Sequence, residues 1–229
     1  MKITVIGATG ATGRKVMERA LELGHEVIAI ARRPEAISSA ERLTVRQGDV
    51  FDESSIAAAI AADTDAVISC IGPAGHSSRS RTGARGILST LAANFSPGTV
   101  MSEGMANILK ACQGAGVTRL VMQSGIGLSD GSELSAGNRC AIGMNRLVFS
   151  QAIKDKAAAE YAVQQSDLDW VIVRAAGLSH AAATLSYTSG PSAAISPFQP
   201  LSFADCADCL VRAAVDEPTW TRKIVNVGS

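Results

Sequence analysis

Short apolar runs alternate with longer amphipathic stretches along the whole chain. Ile3–Ile6, Val27–Ile30, Leu43–Val45, Ala66–Cys70, Leu120–Met122, Trp170–Val173 and Ile224–Val227 read as strands. They are brief and largely free of polar alternation, the pattern of parallel strands covered on both faces. The stretches between them read as helices. Within Thr99–Cys112, the residues Val100, Met101, Met105, Ile108, Leu109 and Cys112 share one face at a 3.6-residue period. Lys154–Gln165 is rich in alanine and helix-forming. Ser202, followed by Asp205, supplies an N-cap and a first-turn acid for a last helix. This alternation predicts an α/β fold: a Rossmann-type, doubly wound, mostly parallel sheet, with residues 1–229 forming a single domain.

Three stretches interrupt the rhythm. Gly72–Gly98 is long and polar, with Arg79, Arg81 and Arg85 near its middle; Gly125–Asn138 is rich in Gly and Ser; Gly177–Pro200 carries Ser, Ala and Pro with Tyr187 and Phe198. Each follows a predicted strand, so all three gather at the carboxyl edge of the sheet, where such folds bind ligands. Loops of this length form lids or flexible segments, and here they are expected to form the substrate pocket.

Composition narrows the partners. A chain of 229 residues with 47% hydrophobic and 18% charged positions supports a sizeable core. Its 21 basic and 21 acidic residues cancel, so no overall field draws nucleic acid or an anionic membrane. No apolar run approaches the roughly 20 residues of a membrane span. The first residues read directly as a strand, without the basic and apolar regions of a secretion signal, and a cytoplasmic location is expected. The five cysteines, at 70, 112, 140, 206 and 209, are odd in number and sit mostly in apolar patterns. Cys206 and Cys209 form a CxxC inside a predicted helix with no second pair, so buried reduced thiols are expected rather than a metal site.

The chemistry begins at "GATGATG". A strand feeds a loop with Gly7, Gly10 and Gly13 that opens a helix running through Val16 to Leu23. Gly7 permits the tight turn, Gly10 lets the backbone approach a pyrophosphate, and Gly13 allows helix and strand to pack closely. Helix-terminal amides then favour the anion. Gly7, Ala8, Thr9, Gly10, Ala11, Thr12 and Gly13 are therefore the first cofactor-binding residues. A strand-end acid would accept from the ribose 2′-hydroxyl of NAD, but "HEVIAI" runs into "ARRPE" instead. Arg32 and Arg33 can pair with a 2′-phosphate, which selects NADP(H). Asp49 and Val50 in "GDV" fall beside the adenine, and Cys70, Ile71 and Gly72 in "SCIG" pass beneath the ribose and pyrophosphate.

With "RR" after the second strand, "GDV" and the Ala-rich "DKAAAE", this motif resembles the atypical short-chain dehydrogenase/reductases with an NAD(P)-binding, NmrA-like domain. "SPGTVMSEGMANILKACQGAGVTRLV", from Ser96 to Val121, is similar to the biliverdin reductase B, or NADPH flavin reductase, branch of that group. The resemblance runs over most of the chain and is weakest at 125–150 and 177–200. It implies an NADPH-dependent reductase of flavins or other flat conjugated acceptors. It places Ser124, in "MQSG", beside the nicotinamide as a donor to an acceptor carbonyl or to the carboxamide. Lys156 stands where the flavin reductases carry histidine and other NmrA-like members lysine, positioned to orient the ribose or stabilise negative charge. Ser124 and Lys156 are thus the expected catalytic residues, and both join Ala175, in "VIVRAA", in the cofactor-binding set. Gly177 replaces a second histidine, which argues against biliverdin itself as substrate.

The tyrosine of the YxxxK arrangement is absent: Ala152 lies four positions before Lys156, and Tyr161 lies on its other side. Acceptors that take hydride without a strong dedicated acid fit this better than an alcohol dehydrogenase reaction. His76 and His180, on the edge loops, read as ordinary loop histidines. Three functions follow. The first is an NADPH-dependent oxidoreductase acting on a flavin, quinone or similar acceptor, as a monomer or small homo-oligomer. The second is a non-catalytic NADP(H)-binding sensor of the NmrA-like type. The third, weakened by the missing tyrosine and the lack of a large substrate domain, is a sugar-nucleotide epimerase.

Overall fold

A computed structural model describes residues 1–72, 98–128, 150–196 and 199–229. The expected strands all form: β1 (Lys2–Ile6), β2 (Glu26–Ala31), β3 (Leu43–Gln47), β4 (Ala66–Ser69), β5 (Arg119–Gly125), β6 (Asp169–Ala175) and, last in the chain, β10 (Lys223–Gly228). Three short strands without a strong period are added to them, β7 (Leu178–Ser179), β8 (Thr188–Gly190) and β9 (Leu201–Ser202). The helices are α1 (Ala11–Glu22), α2 (Glu53–Ala59), α3 (Val100–Ala115), α4 (Ser150–Gln164) and α5 (Phe203–Val215).

The main sheet has the order β3-β2-β1-β4-β5-β6-β10-β8. Every neighbouring pair is parallel except β8, which runs antiparallel to β10. The order reverses between β1 and β4, and a crevice at such a switch point opens beyond the carboxyl ends of the strands. This is the predicted Rossmann-type architecture.

The layers follow from alternation along the strands. Ile3, Val5, Ala66, Ile68, Val121, Val171 and Val173 pack with Val16 and Ala20 of α1 and Cys206, Leu210 and Val211 of α5. The alternate positions Val67, Leu120, Met122, Trp170 and Ile172 pack with Ile56 of α2, Met101, Met105 and Ile108 of α3, and Ala159 and Val163 of α4. Strands with both faces buried have no position left for a polar alternation, which is why they read as continuous apolar runs.

Two elements depart from the sequence pattern. β4 ends at Ser69, and the predicted last strand residue, Cys70, already bends under the glycine loop. The stretch 177–200 is expected to be a lid or flexible loop, but much of it is committed to structure. β7 pairs with β9, and β8 covers the edge of β10. Asp205 of α5 accepts hydrogen bonds from the amides of Thr184 (3.0 Å) and Leu185 (2.7 Å), while Tyr187 donates to Asp208 at 2.5 Å. The Ser- and Ala-rich composition conceals these anchors because the acids that supply them lie on a different element. Phe198, and with it Arg79, Arg81, Arg85 and His76, lies outside the described residues.

Candidate functional site

The glycine loop is shaped by close approaches of backbone to backbone. Gly7 has φ +81°, and a Cβ there would lie 2.7 Å from the carbonyl oxygen of Cys70. A Cβ at Gly13 would lie 2.2 Å from the carbonyl oxygen of Gly7. Both positions therefore require glycine, for the turn and for the contact between loop and helix. Gly10 donates its amide to the Gly7 carbonyl at 3.0 Å and stands at the N-cap of α1. Ala8 and Thr12 are buried, and Thr9 is exposed at the tip. Thr12 Oγ1 accepts from Gln123 Nε2 at 3.1 Å, which ties the first turn of α1 to β5.

The start of α1 differs from those of α2, α3 and α5. Asp52 accepts from the Ser55 amide at the start of α2, and Ser202 accepts from the Asp205 amide at the start of α5. At α3 the cap comes from another element: Asp155 of α4 accepts from the amides of Met101 and Ser102, both at 3.0 Å. α1 has no side-chain cap and no acid in its first turn. Its leading amides and the positive end of its dipole face the carboxyl edge uncompensated, which is the arrangement that receives a phosphate.

Beyond β2, Arg32 and Arg33 are exposed, and their guanidinium groups form no hydrogen bond among the described residues. A third guanidinium stands with them. Arg14, directly after the glycine motif, donates from Nε to the Thr9 carbonyl (3.1 Å) and from Nη2 to the Ala36 carbonyl (3.5 Å). It therefore bridges the glycine loop and the 3₁₀ turn Pro34–Ala36 that follows Arg33. The signal for it was its position immediately after Gly13.

Asp49 and Val50 begin the segment that leads into α2. The Asp49 carboxylate accepts from the Phe51 amide and the Asp49 amide donates to Ser55 Oγ, both at 3.1 Å. Asn107 donates to the Val50 carbonyl at 2.8 Å. A Cβ at Gly104 would lie 3.0 Å from Val50 and 3.2 Å from Ile71, so this glycine lets α3 close on both of those residues. Gly104 and Asn107 are supporting residues that the apolar period of α3 does not reveal. Cys70 is half-buried, with its thiol pushed up to about 12 by burial, and Gly72 is exposed. Cys112, Cys206 and Cys209 are free and buried; Cys140 lies outside the described residues.

At the end of β5 Ser124 meets partners that the sequence pattern does not assign to it. Ser124 is buried and donates to Glu160 Oε1 at 2.5 Å. Glu160, only 2% exposed, is also gripped by Arg174, from Nε at 3.2 Å and from Nη2 at 2.6 Å. Lys156, one turn before Glu160, is half-buried, and its Nζ stands where a Cβ on Gly125 would lie 3.1 Å away. The sequence allows Lys156 to be an exposed partner of Glu160. Instead, Glu160 is occupied by Arg174 and Ser124, and Lys156 turns towards the strand end. Burial holds the Lys156 ammonium below the usual lysine range, with Glu160 pulling it partly back up. Ala152 is on the same face of α4 one turn earlier, and Tyr161 is exposed. Ala175 is buried at the end of β6, in register with Gly125. Gly177 is exposed, and His180 stacks at a tilt on Phe203 with ring centroids 4.8 Å apart.

Among the described residues, no group of His, Cys, Asp or Glu could hold a metal ion, and no helix is long and apolar enough to cross a membrane.

Known proteins are similar to this chain in sequence or in fold. An uncharacterised chloroplastic protein of Arabidopsis thaliana is 26% identical over 183 residues, and the match covers 78% of this chain and 60% of that one. The chain thus spans about 60% of that relative's length. Among solved structures, the oxidoreductase ylbE of Lactococcus lactis superposes with a TM-score of 0.73 at 19% identity, covering all of this chain and 91% of that one. A short-chain dehydrogenase/reductase of Veillonella parvula in complex with NADP gives 0.72 at 20% identity, covering 100% and 94%. ChuY, an anaerobilin reductase of Escherichia coli O157:H7, gives 0.73 at 23% identity, covering 99% and 96%. These likenesses establish a shared fold. The family model for NAD(P)H binding matches residues 7–217, from the first glycine of the loop to just beyond α5, and the chain belongs to that NAD(P)H-binding family.

Proposed function

We propose that this protein is an NADPH-dependent reductase that delivers hydride to a flat conjugated acceptor, a flavin or quinone in the first instance. The observation that carries the cofactor is the uncapped start of α1 above the Gly7–Gly13 contact, with Arg14, Arg32 and Arg33 beside it. Pyrophosphate fits the first turn of α1, and a 2′-phosphate fits the guanidinium groups. Asp49 and Val50 line the adenine side; Cys70, Ile71 and Gly72 pass beneath the ribose. Ser124, Lys156 and Ala175 surround the nicotinamide end. When bound, NADPH supplies the hydride.

The residues of this chain hold the cofactor and present one ammonium, that of Lys156. With Ala152 in place of a tyrosine, the site has no phenol to protonate an alkoxide. This favours acceptors whose added charge is spread over a ring system. ChuY, with the same fold, is an anaerobilin reductase, which agrees with reduction of an extended conjugated molecule.

The test is oxidation of NADPH, followed by its near-ultraviolet absorbance, against a panel of flavins, quinones and dichlorophenolindophenol. Turnover well above background with at least one class is expected. Tight NADPH binding with no turnover on any acceptor would replace this reading with that of a cofactor-binding sensor. Arg32→Ala/Arg33→Ala is expected to cut the preference for NADPH over NADH by about tenfold or more. An undiminished preference removes the 2′-phosphate assignment.

A further inference from the structure

Ser124 and Arg174 are register partners on β5 and β6. Both continue the row formed by Leu120 and Met122 on one strand and Trp170 and Ile172 on the other, which faces α4. Glu160 reaches this row from α4. Its Oε1 accepts the Ser124 hydroxyl and the Arg174 Nε, and its Oε2 accepts the Arg174 Nη2. Among the described residues, a further charged group near it is Lys156, on the preceding turn of α4.

A serine hydroxyl has one proton and two lone pairs, whereas a carboxylate offers only acceptors. With Glu160 paired to the Arg174 guanidinium as a carboxylate, the hydrogen bond to Ser124 has one possible sense. The serine proton points to Glu160, and only lone pairs remain for anything that approaches the end of β5. Charge-assisted bonds of this kind are strong and hold their direction.

We propose that Glu160, itself held by Arg174, is a positioning residue that makes Ser124 an obligate hydrogen-bond acceptor, so that Ser124 takes an N–H of the nicotinamide carboxamide. This rests on the NADP(H) reading above and reverses the donor role suggested by the sequence. Ser124 then orients the ring and does not protonate the substrate. The donor left at the end of β5 is the Lys156 ammonium against Gly125.

Binding of NADP⁺ and of its 3-acetylpyridine analogue tests the proposal without any need for turnover. The analogue replaces the carboxamide amine with a methyl group and cannot donate. Titration calorimetry on the wild type, Ser124→Ala and Glu160→Met/Arg174→Met measures the ratio of the two affinities. Replacing both members of a buried ion pair by apolar groups of similar volume generally preserves the fold. Glu160→Gln serves as a second, isosteric variant should the double one fail to fold. In the wild type the ratio should favour NADP⁺. It should fall by roughly three- to tenfold in Ser124→Ala and also in the Glu160 variants. Affinity for adenosine 2′,5′-bisphosphate, which lacks the nicotinamide, should stay constant in all of them.

A ratio unchanged in Ser124→Ala overturns the proposal. So does a ratio that falls in Ser124→Ala but stays at the wild-type value in the Glu160 variants, since Glu160 then does not set the sense of the bond. If neither NADP⁺ nor the bisphosphate binds the wild type, the cofactor reading fails and takes this inference with it.

Discussion

The carbonyl oxygen of Gly7 occupies the space that a side chain on Gly13 would need, at 2.2 Å from its would-be Cβ. No rotamer relieves this clash, because both atoms belong to the backbone. Gly13→Ala is therefore expected to displace the loop from α1, weakening NADP⁺ binding by at least about tenfold and lowering the melting temperature. Gly10→Ala, whose Cβ would meet the same oxygen at 3.2 Å, should cost less stability. Thermal melts and titration calorimetry on the pair check the order.

The start of α3 depends on a side chain from another helix. Asp155 receives the Met101 and Ser102 amides and the Ser102 hydroxyl. Asp155→Ala leaves these donors without their acceptor and should cost about 1–3 kcal/mol in a denaturant titration. Ser102→Ala, which removes only the hydroxyl, should cost less.

Lys156 gives a prediction with a definite sign. Burial lowers its folded-state pKa below the ordinary 10.5, so between those two values the unfolded chain holds the extra proton. Stability should rise with pH across that window and be fully gained above 10.5; at neutral pH the buried ammonium is a cost. Lys156→Met is expected to flatten the rise and to raise the melting temperature at neutral pH by about 2–4 °C, while reducing reductase turnover. A melting temperature that falls at every pH would contradict this.

Asp205 anchors the segment before β8 by accepting from the amides of Thr184 and Leu185 and from the hydroxyls of Thr184 and Ser202. Leu185 has φ +51°, a conformation that needs such support. Asp205→Ala should release residues 181–187, and limited proteolysis should then cut there at least about tenfold faster than in the wild type. An unchanged digestion pattern would show that β8 and the Tyr187–Asp208 hydrogen bond suffice to secure the segment.

The fold was legible because its strands are buried on both sides. Residues such as Val67 and Ile68 face opposite layers yet are both apolar, and that continuity marks a parallel sheet. The glycine loop was legible because Gly7 and Gly13 answer steric demands that no other residue meets. The network around Ser124 was not. Glu160 and Arg174 belong to different elements, and on an alanine-rich helix a buried acid has the same local pattern as an exposed one. The anchoring of 177–200 was hidden for the same reason, since Asp205 read only as a first-turn acid of α5.

Gln123 and Ser124 are consecutive on β5, yet the first reaches Thr12 of α1 and the second reaches Glu160 of α4. One strand end therefore serves two layers, with its assignments kept apart only by the alternation of the pleat. A single residue inserted into β5 after Met122 would exchange those assignments: the amide would enter the Glu160–Arg174 pocket and the hydroxyl would face the glycine loop. β5 is thus a reading frame for the site: its buried body sets the packing, and its count sets which layer each end residue serves.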